Sequence, residues 1–474
     1  MRPIRFGTSG WRDIIADTFT FANVRVVTRA IAEHLLAEGV PGPEVVVGYD
    51  TRFLSEAFAA EAAAVLADRG VRVLLCDRDV PTPVVAYEVI RRGAARGLTI
   101  TASHNPPEYN GLKLSGPDGG PVQPTVTDRI EARVAELLAE AQAPCPPLEE
   151  MEEKGLVVRI DPRPAYLARL RQLVDLEAIG AARLKVAVDL LFGTARGYLD
   201  QLLREAGCDV HTLHDSRNPA FGGRAPDPSE ENLQELAVTV RSGECDLGLA
   251  TDGDADRYGI LDRDGSFIEP NYILALLLDH LIKNRGWRSG VARSVATSHL
   301  VDAVAKHHGV PVYETKVGFK YLGEFIAQGK VALSGEESAG LSIQGHVPEK
   351  DGILAALLVA EMVAMTGKRS VRDLLDSLYA EVGTVVRTRR LNLDLSREQE
   401  QRLEGRLKDL PDRVAGQRVV QVGTLEGTKL LLEDGSWLLL RHSGTEPVVR
   451  LYVDAHSEVQ VEKLTAAART LLGV

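Results

Sequence analysis

Short apolar runs alternate with amphipathic stretches of helical period from residue 24 to residue 334, and that alternation leaves few architectures open. Residues 24–38 carry apolar positions at three- and four-residue spacing and stop at Gly39, 45–48 are an apolar run, and 55–68 are helical again. Residues 71–75 read as a strand, 83–90 as a helix with Thr82 as N-cap and Pro83 at its first position, and 98–101 as the next strand. The pattern returns at 185–189, 194–205, 209–213 and 247–251, and again at 291–296, 299–308, 320–327 and 331–334. Alternation of this kind builds a mostly parallel sheet with helices on both faces, so three α/β units follow one another, without a repeat of fixed period.

After Thr384 the pattern changes to a helical stretch at 396–409, a hairpin of 429–432 with 437–440 around Asp434-Gly435, then a strand and a terminal helix, together a smaller α+β unit. The Ala-, Pro- and Glu-rich segment 140–150 is the clearest linker, and a second boundary falls near 264–270. The expected division is 1–145, 146–265, 266–382 and 383–474, which suits a chain of 474 residues, too long for one core.

A formal charge of −12 argues against binding nucleic acid or an anionic membrane, both of which need a basic surface. Cys76, Cys145, Cys208 and Cys245 have neither metal-ligand nor redox spacing and are expected to be free thiols, mostly buried. The opening MRPIRFGTSGWR lacks the apolar core of a signal peptide, and no apolar run is long enough to span a bilayer, so a cytoplasmic location is the expectation.

In open α/β sheets, ligands bind beyond the C-terminal ends of the strands, and each unit places a chemically loaded loop there. Thr101-Ala102-Ser103-His104-Asn105-Pro106, followed by Lys113, sets a hydroxyl beside an imidazole and a cation, a setting for a nucleophile or phosphoryl carrier. Asp252-Gly253-Asp254-Ala255-Asp256-Arg257 offers three carboxylates at alternate positions to one hard cation. An EF-hand reading fails, because the sixth position from Asp252 is Arg257 and the twelfth is Arg263. Gly335-Glu336-Glu337-Ser338-Ala339-Gly340 suits hydrogen bonds to adjacent sugar hydroxyls, and the segments around Lys350 and Val317-Gly318-Phe319-Lys320 are ambiguous. Arg441-His442-Ser443-Gly444-Thr445-Glu446-Pro447, with Arg450 nearby, combines guanidinium, hydroxyls and a glycine turn as a phosphate cradle would. Taken singly, each loop also reads as an ordinary solvated polar turn.

Taken in this order, TASHNP, DGDADR, GEESAG and RHSGTEP resemble the phosphoserine, metal, sugar and phosphate loops of the α-D-phosphohexomutase superfamily, most closely its phosphoglucomutases and phosphomannomutases. The opening Phe6-Gly7-Thr8-Ser9-Gly10-Trp11-Arg12 and the segment Tyr49-Asp50-Thr51-Arg52 also match family patterns. The resemblance implies three similar mixed α/β/α domains and a C-terminal α+β, TATA-box-binding-protein-like domain around a central cleft. It implies Ser103 as phosphoryl carrier and Asp252, Asp254 and Asp256 as Mg²⁺ ligands together with the Ser103 oxygen. Gly318, Glu336 and Ser338 would contact the sugar, and Arg441, Ser443, Gly444, Thr445 and Arg450 the phosphate that is not reacting. Arg12, Lys113 and Arg257 would add positive charge at the transferring group, and His104 and Lys350 are both candidates for the general base. The expected reaction interconverts hexose 1- and 6-phosphates, glucose before mannose, through a hexose 1,6-bisphosphate. Phosphoglucosamine or phosphopentose specificity and a phosphatase remain open, and the expected assembly is a monomer or homodimer.

Overall fold

Three consecutive valines, Val45 to Val47, suit a strand buried on both faces, since β-branched side chains fit a pleated ladder and none of these is polar. In the computed structural model, which describes residues 3–140, 145–394, 410–442 and 448–472, the strand Glu44–Tyr49 runs through the interior of a six-stranded sheet. Arg72–Cys76 and Arg96–Ile100 lie parallel to it, and Val157–Ile160 extends the parallel set at one edge. At the other edge the direction reverses: Tyr109–Ser115 returns antiparallel to Arg96–Ile100, and Trp11–Ile14 pairs antiparallel with Tyr109–Ser115.

The same plan recurs twice. Asp209–Leu213, Lys185–Asp189 and Leu247–Thr251 are parallel, and Tyr258–Asp262 and Phe267–Ile268 add antiparallel strands to them. In the third sheet Val312–Thr315, Val291–Ser294 and Leu333–Glu336 are parallel, and Gly340–Ile343 turns back. Each of these sheets therefore keeps a parallel set of strands, as the alternation implies, with antiparallel strands added at one edge. In each, the strand at one edge of the parallel set folds straight back through a short loop, which only an antiparallel partner allows. Those three returns carry Ser103, the aspartate series and the Glu336 segment.

The fourth sheet is antiparallel throughout, in the order Arg387–Asp394, Val448–Ala455, Trp437–His442, Thr428–Leu432, Gln417–Gly423, Arg413–Val414. The helix Glu458–Leu472 covers one face, and the expected Asp434-Gly435 turn is present. The helix expected over 396–409 lies outside the described residues.

Some expected boundaries shift, each for a local reason. Thr82 does not cap the helix Thr82–Arg92; its hydroxyl donates to Asp254 Oδ2 at 2.5 Å and its N–H to the Asp254 carbonyl at 3.0 Å. The helix expected from residue 194 starts at Leu199, because the Thr194 N–H donates to the Gly253 carbonyl at 3.0 Å instead. The expected linker contains the helix Leu148–Glu153, and Val157–Ile160 rejoins the first sheet from beyond residue 145. Met151 and Val157 are buried in the first unit's core, and that burial draws the segment back.

The helix Gly352–Thr366 has no polar face, and every residue from Gly352 to Val363 is buried, as such a helix requires. It packs on Leu176–Ala182, Leu247–Thr251 and Tyr258–Asp262, so one apolar core runs through the first three units from Val46 to Val386. The last sheet has a separate core, joined to the third unit by a small cluster of Val295, Ala296, Trp437, Leu439 and Tyr452. Among the described residues no helix is long and apolar enough to cross a membrane.

Asp351 caps the buried helix by accepting from the Leu354 N–H at 2.9 Å, and its other oxygen accepts from the Tyr166 hydroxyl and pairs with His346 Nε2 at 2.7 Å. Asp351→Ala removes the cap and leaves two buried polar groups without a partner, so it should cost about 2–4 kcal/mol in urea denaturation, with Asp351→Asn intermediate.

Candidate active site

Ser103 sits in the left-handed region at φ 52°, an uncommon conformation for a residue with a side chain, and is buried. Its N–H donates to Thr101 Oγ1 at 2.9 Å. The loop is held mainly by Arg52, a residue of the matching Tyr49-Asp50-Thr51-Arg52 segment to which the sequence assigns no role. The buried Arg52 guanidinium donates to the carbonyls of Ser103 at 2.5 Å, Asn105 at 2.6 Å, Pro106 at 2.7 Å and Tyr109 at 3.0 Å. Asp50 pairs with Arg52 Nε at 3.1 Å and accepts from the Ser55 hydroxyl at 2.7 Å. The only sequence signal for this anchor is the YDTR segment itself.

Ser103 Oγ donates to Asp252 Oδ2 at 2.6 Å and lies 3.3 Å from His104 Nδ1. One carboxylate oxygen from each of Asp252, Asp254 and Asp256 lies within 4.8 Å of the others, and all three residues are buried. Lys113 Nζ bridges Asp254 Oδ2 at 2.5 Å and Asp256 Oδ2 at 2.6 Å, and Lys350 Nζ adds a contact to Asp256 at 2.9 Å. Burial and the charges of Asp254 and Asp256 push the Asp252 carboxyl well above the ordinary range. Burial acts on Asp256 in the same sense, but Lys113, Lys350 and Arg257 outweigh it and hold that carboxyl well below the ordinary range. Asp254 Oδ1 and Asp256 Oδ1 are buried and accept no hydrogen bond from the described residues. Hard oxygen donors, two of them unsatisfied, beside a serine hydroxyl fit a divalent cation of the Mg²⁺ type.

Above this trio opens a cleft of about 450 Å³ lined by Arg12, Ser103, His104, Asp256, Arg257, Gly318, Glu336, Ser338, Lys350, Arg441 and Arg450. Arg12, on the edge strand Trp11–Ile14, donates to Asn105 Oδ1 at 2.8 Å. The Arg257 N–H donates to Asp252 Oδ1 at 2.9 Å. Burial, with Arg257 and Arg12 close by, pushes the His104 imidazole well below its usual value. Burial acts to lower the Lys350 ammonium too, but Asp256 and Glu349 raise it above its usual value.

On the loop after Leu333–Glu336, Glu336 Oε1 accepts from the Gly318 N–H at 2.6 Å and Oε2 from the Ser338 hydroxyl at 3.4 Å. Glu337, which also lines the cleft, accepts from the Ser294 hydroxyl at 2.9 Å. Arg441 and Arg450 lie opposite each other on neighbouring antiparallel strands. Arg390, opposite Tyr452, falls on the same face by the two-residue period of a strand and also lines the cleft, a residue the motifs did not flag. Ser443, Gly444 and Thr445 lie outside the described residues.

A cleft with a buried serine at its floor and paired arginines across from it is the frame of a phosphosugar enzyme, and comparison with known proteins gives that frame a family. Profiles of phosphoglucomutase/phosphomannomutase α/β/α domains I, II and III match residues 3–140, 164–265 and 269–382, and the C-terminal domain profile matches 391–471. The chain belongs to this family of phosphohexomutases. It is 33% identical to a Methanothermobacter thermautotrophicus protein named a probable phosphoglucosamine mutase, over 99% of this chain and 98% of that one. It is also 33% identical to a Thermococcus kodakarensis phosphoglucomutase/phosphomannomutase, over 96% and 95% of the two chains. A crystal structure from Thermus thermophilus, provisionally named a phosphomannomutase, superposes with a TM-score of 0.87 at 35% identity over 100% of both chains. These names agree on the reaction class and differ in the sugar.

Burial, with the charge of Glu337, pushes the Glu336 carboxyl up to about 7. Its folded value exceeds its unfolded one, so the native state binds the proton more tightly, and rising pH from about 4.5 to 7 should remove on the order of 3 kcal/mol of stability at this site. Glu336→Gln should abolish that dependence, so the stability difference between variant and wild type, followed by denaturation across this range, should grow with pH and level off above about 7.

Proposed function

We propose that this protein interconverts glucose 1-phosphate and glucose 6-phosphate through a phosphorylated Ser103 and a glucose 1,6-bisphosphate, accepting mannose phosphates less well. The observation that carries the reading is the Ser103 hydroxyl, 2.6 Å from Asp252 in the buried aspartate trio, at the floor of a cleft that also bears Arg441 and Arg450. Asp252, Asp254 and Asp256 would hold Mg²⁺ with the Ser103 phosphoryl oxygen. When bound, the ion neutralises non-bridging oxygens that otherwise repel an incoming hydroxyl.

The chain's own residues divide the remaining work. The substrate hydroxyl attacks the phosphorus in line, and the bond from phosphorus to Ser103 Oγ breaks as the new ester forms. His104 takes the hydroxyl proton: its lowered pKa keeps it neutral and able to accept, and Nδ1, 3.3 Å from Ser103 Oγ, can return the proton there. Lys350, held charged by Asp256 and Glu349, supplies positive charge rather than a base. Arg12 and Arg257 face the transferring group, Glu336 and Ser338 accept or donate to sugar hydroxyls, and Arg441 and Arg450 hold the idle phosphate. The bisphosphate then turns over, and its other phosphate returns to Ser103.

Glucose preference is supported by Gly340. The bifunctional phosphomannomutase/phosphoglucomutases that the chain resembles typically read GEMSGH in this loop, with a histidine at that position; a Cβ at Gly340 would lie 2.3 Å from Lys350 Cδ, so such a histidine has no room while Lys350 keeps its contacts. A glucosamine phosphate is the second reading, favoured by the name of the Methanothermobacter relative and by two adjacent carboxylates, Glu336 and Glu337, that a sugar ammonium would relieve.

Ser103→Ala should reduce turnover of glucose 1-phosphate to background while glucose 6-phosphate binding survives in calorimetry; near-normal turnover would remove the proposal. Asp254→Asn should lower kcat by at least about a hundred-fold, the scale of losing one electrostatic contact to a transition state. Excess EDTA should stop turnover and added Mg²⁺ restore it. A panel of glucose, mannose, glucosamine and ribose 1-phosphates, each with a trace of its bisphosphate, ranks the sugars, and a glucosamine rate above that for glucose overturns the preference.

A further inference from the structure

One carboxylate that this chemistry leaves unused joins the arginine face of the last sheet to the sugar loop of the third unit. Glu426 stands in the turn between Gln417–Gly423 and Thr428–Leu432. Its Oε1 accepts from Arg441 Nε, and its Oε2 accepts from the Val317 N–H at 2.8 Å. The next N–H along, that of Gly318, donates to Glu336 Oε1 at 2.6 Å. Two consecutive peptide groups thus hold two carboxylates, one tied to the phosphate arginine and one facing the sugar.

The turn is shaped to put Glu426 there. Gly427, at φ 73°, lies so close to the neighbouring strand that a Cβ would stand 2.3 Å from the Leu440 carbonyl oxygen. A larger residue would lift the turn away from Arg441. The pair is also shielded, with the Arg441 side chain 8% and the Glu426 side chain 23% exposed. Because a guanidinium is planar and rigid, fixing Nε fixes the direction of its two terminal nitrogens, the fork that recognises an oxyanion.

We propose that Glu426 is a positioning residue that aims Arg441 at the distal phosphate of the substrate and ties that site to the Val317-Gly318 backbone. Filling the phosphate site and ordering Glu336 against the sugar then become one coupled event. The proposal rests on the sugar-phosphate reading given above.

The test compares Glu426→Ala, Glu426→Gln, Arg441→Ala and the double variant Glu426→Ala/Arg441→Ala in full-length enzyme. Glu426→Ala should raise KM for glucose 1-phosphate about five-fold or more, the usual size of coupling between two sites, with a much smaller change in kcat. Glu426→Gln should recover part of this, since its amide oxygen can still accept from Arg441 Nε or from the Val317 N–H. The double variant should bind no worse than Arg441→Ala alone, because Glu426 acts through Arg441. Unchanged KM in Glu426→Ala, losses that multiply in the double variant, or a lowered Tm with KM intact each overturn the proposal. Calorimetric binding of glucose 6-phosphate by the same variants separates the two ideas: binding without turnover in the wild type removes the mutase reading, while the pattern of affinities still decides the coupling.

Discussion

Three carboxylates buried within 4.8 Å of one another repel more strongly than hydrogen bonds to neutral groups can offset, and the fold is organised around the cations that answer them. Lys113 comes from a strand of the first sheet, Arg257 from the second unit beside the trio, and Lys350 from the segment that enters the helix Gly352–Thr366. Each of the first three units thus sends positive charge to one point. Thr82, from the helix that follows the third strand of the first sheet, adds a hydroxyl to Asp254. The relative placement of these units is set by charge as well as by their shared apolar core.

What could be read from the sequence follows from how local each signal is. The serine, aspartate and glutamate loops are contiguous runs at strand ends, and the structure gathers Ser103, Asp256 and Glu336 along one cleft. Arg52 has no comparable signature, because its work is to bind carbonyls of a loop some fifty residues away. Thr82 before a proline reads as a helix cap, yet its hydroxyl partner stands 172 residues on. Which strands reverse direction is not legible in their own residues for the same reason: a strand that turns back through a loop and one that leads to a crossover helix begin alike. His104 and Lys350 are indistinguishable as bases in the sequence, since what separates them is the buried charge around each.

Sugar choice is the least legible property, and the relatives' differing names show the same limit. Hexoses that differ at one hydroxyl or amine are discriminated by one or two contacts, so a family can keep its phosphate chemistry while its sugar loop drifts. In the proposed function the relevant contacts would converge on Glu336, whose surroundings include Gly318 from another segment and Lys350 packed against Gly340.

The last sheet keeps a core of its own and meets the third unit through a small apolar cluster. Polar contacts cross the same junction: Lys429 Nζ donates to the Val295 carbonyl at 2.9 Å and pairs with Glu314 at 3.2 Å, and Asp454 accepts from the His299 N–H at 3.1 Å. Contacts of this kind exchange with water one at a time, whereas an apolar core gives way all at once. The two bodies therefore keep separate cores, and unfolding of one need not carry the other with it.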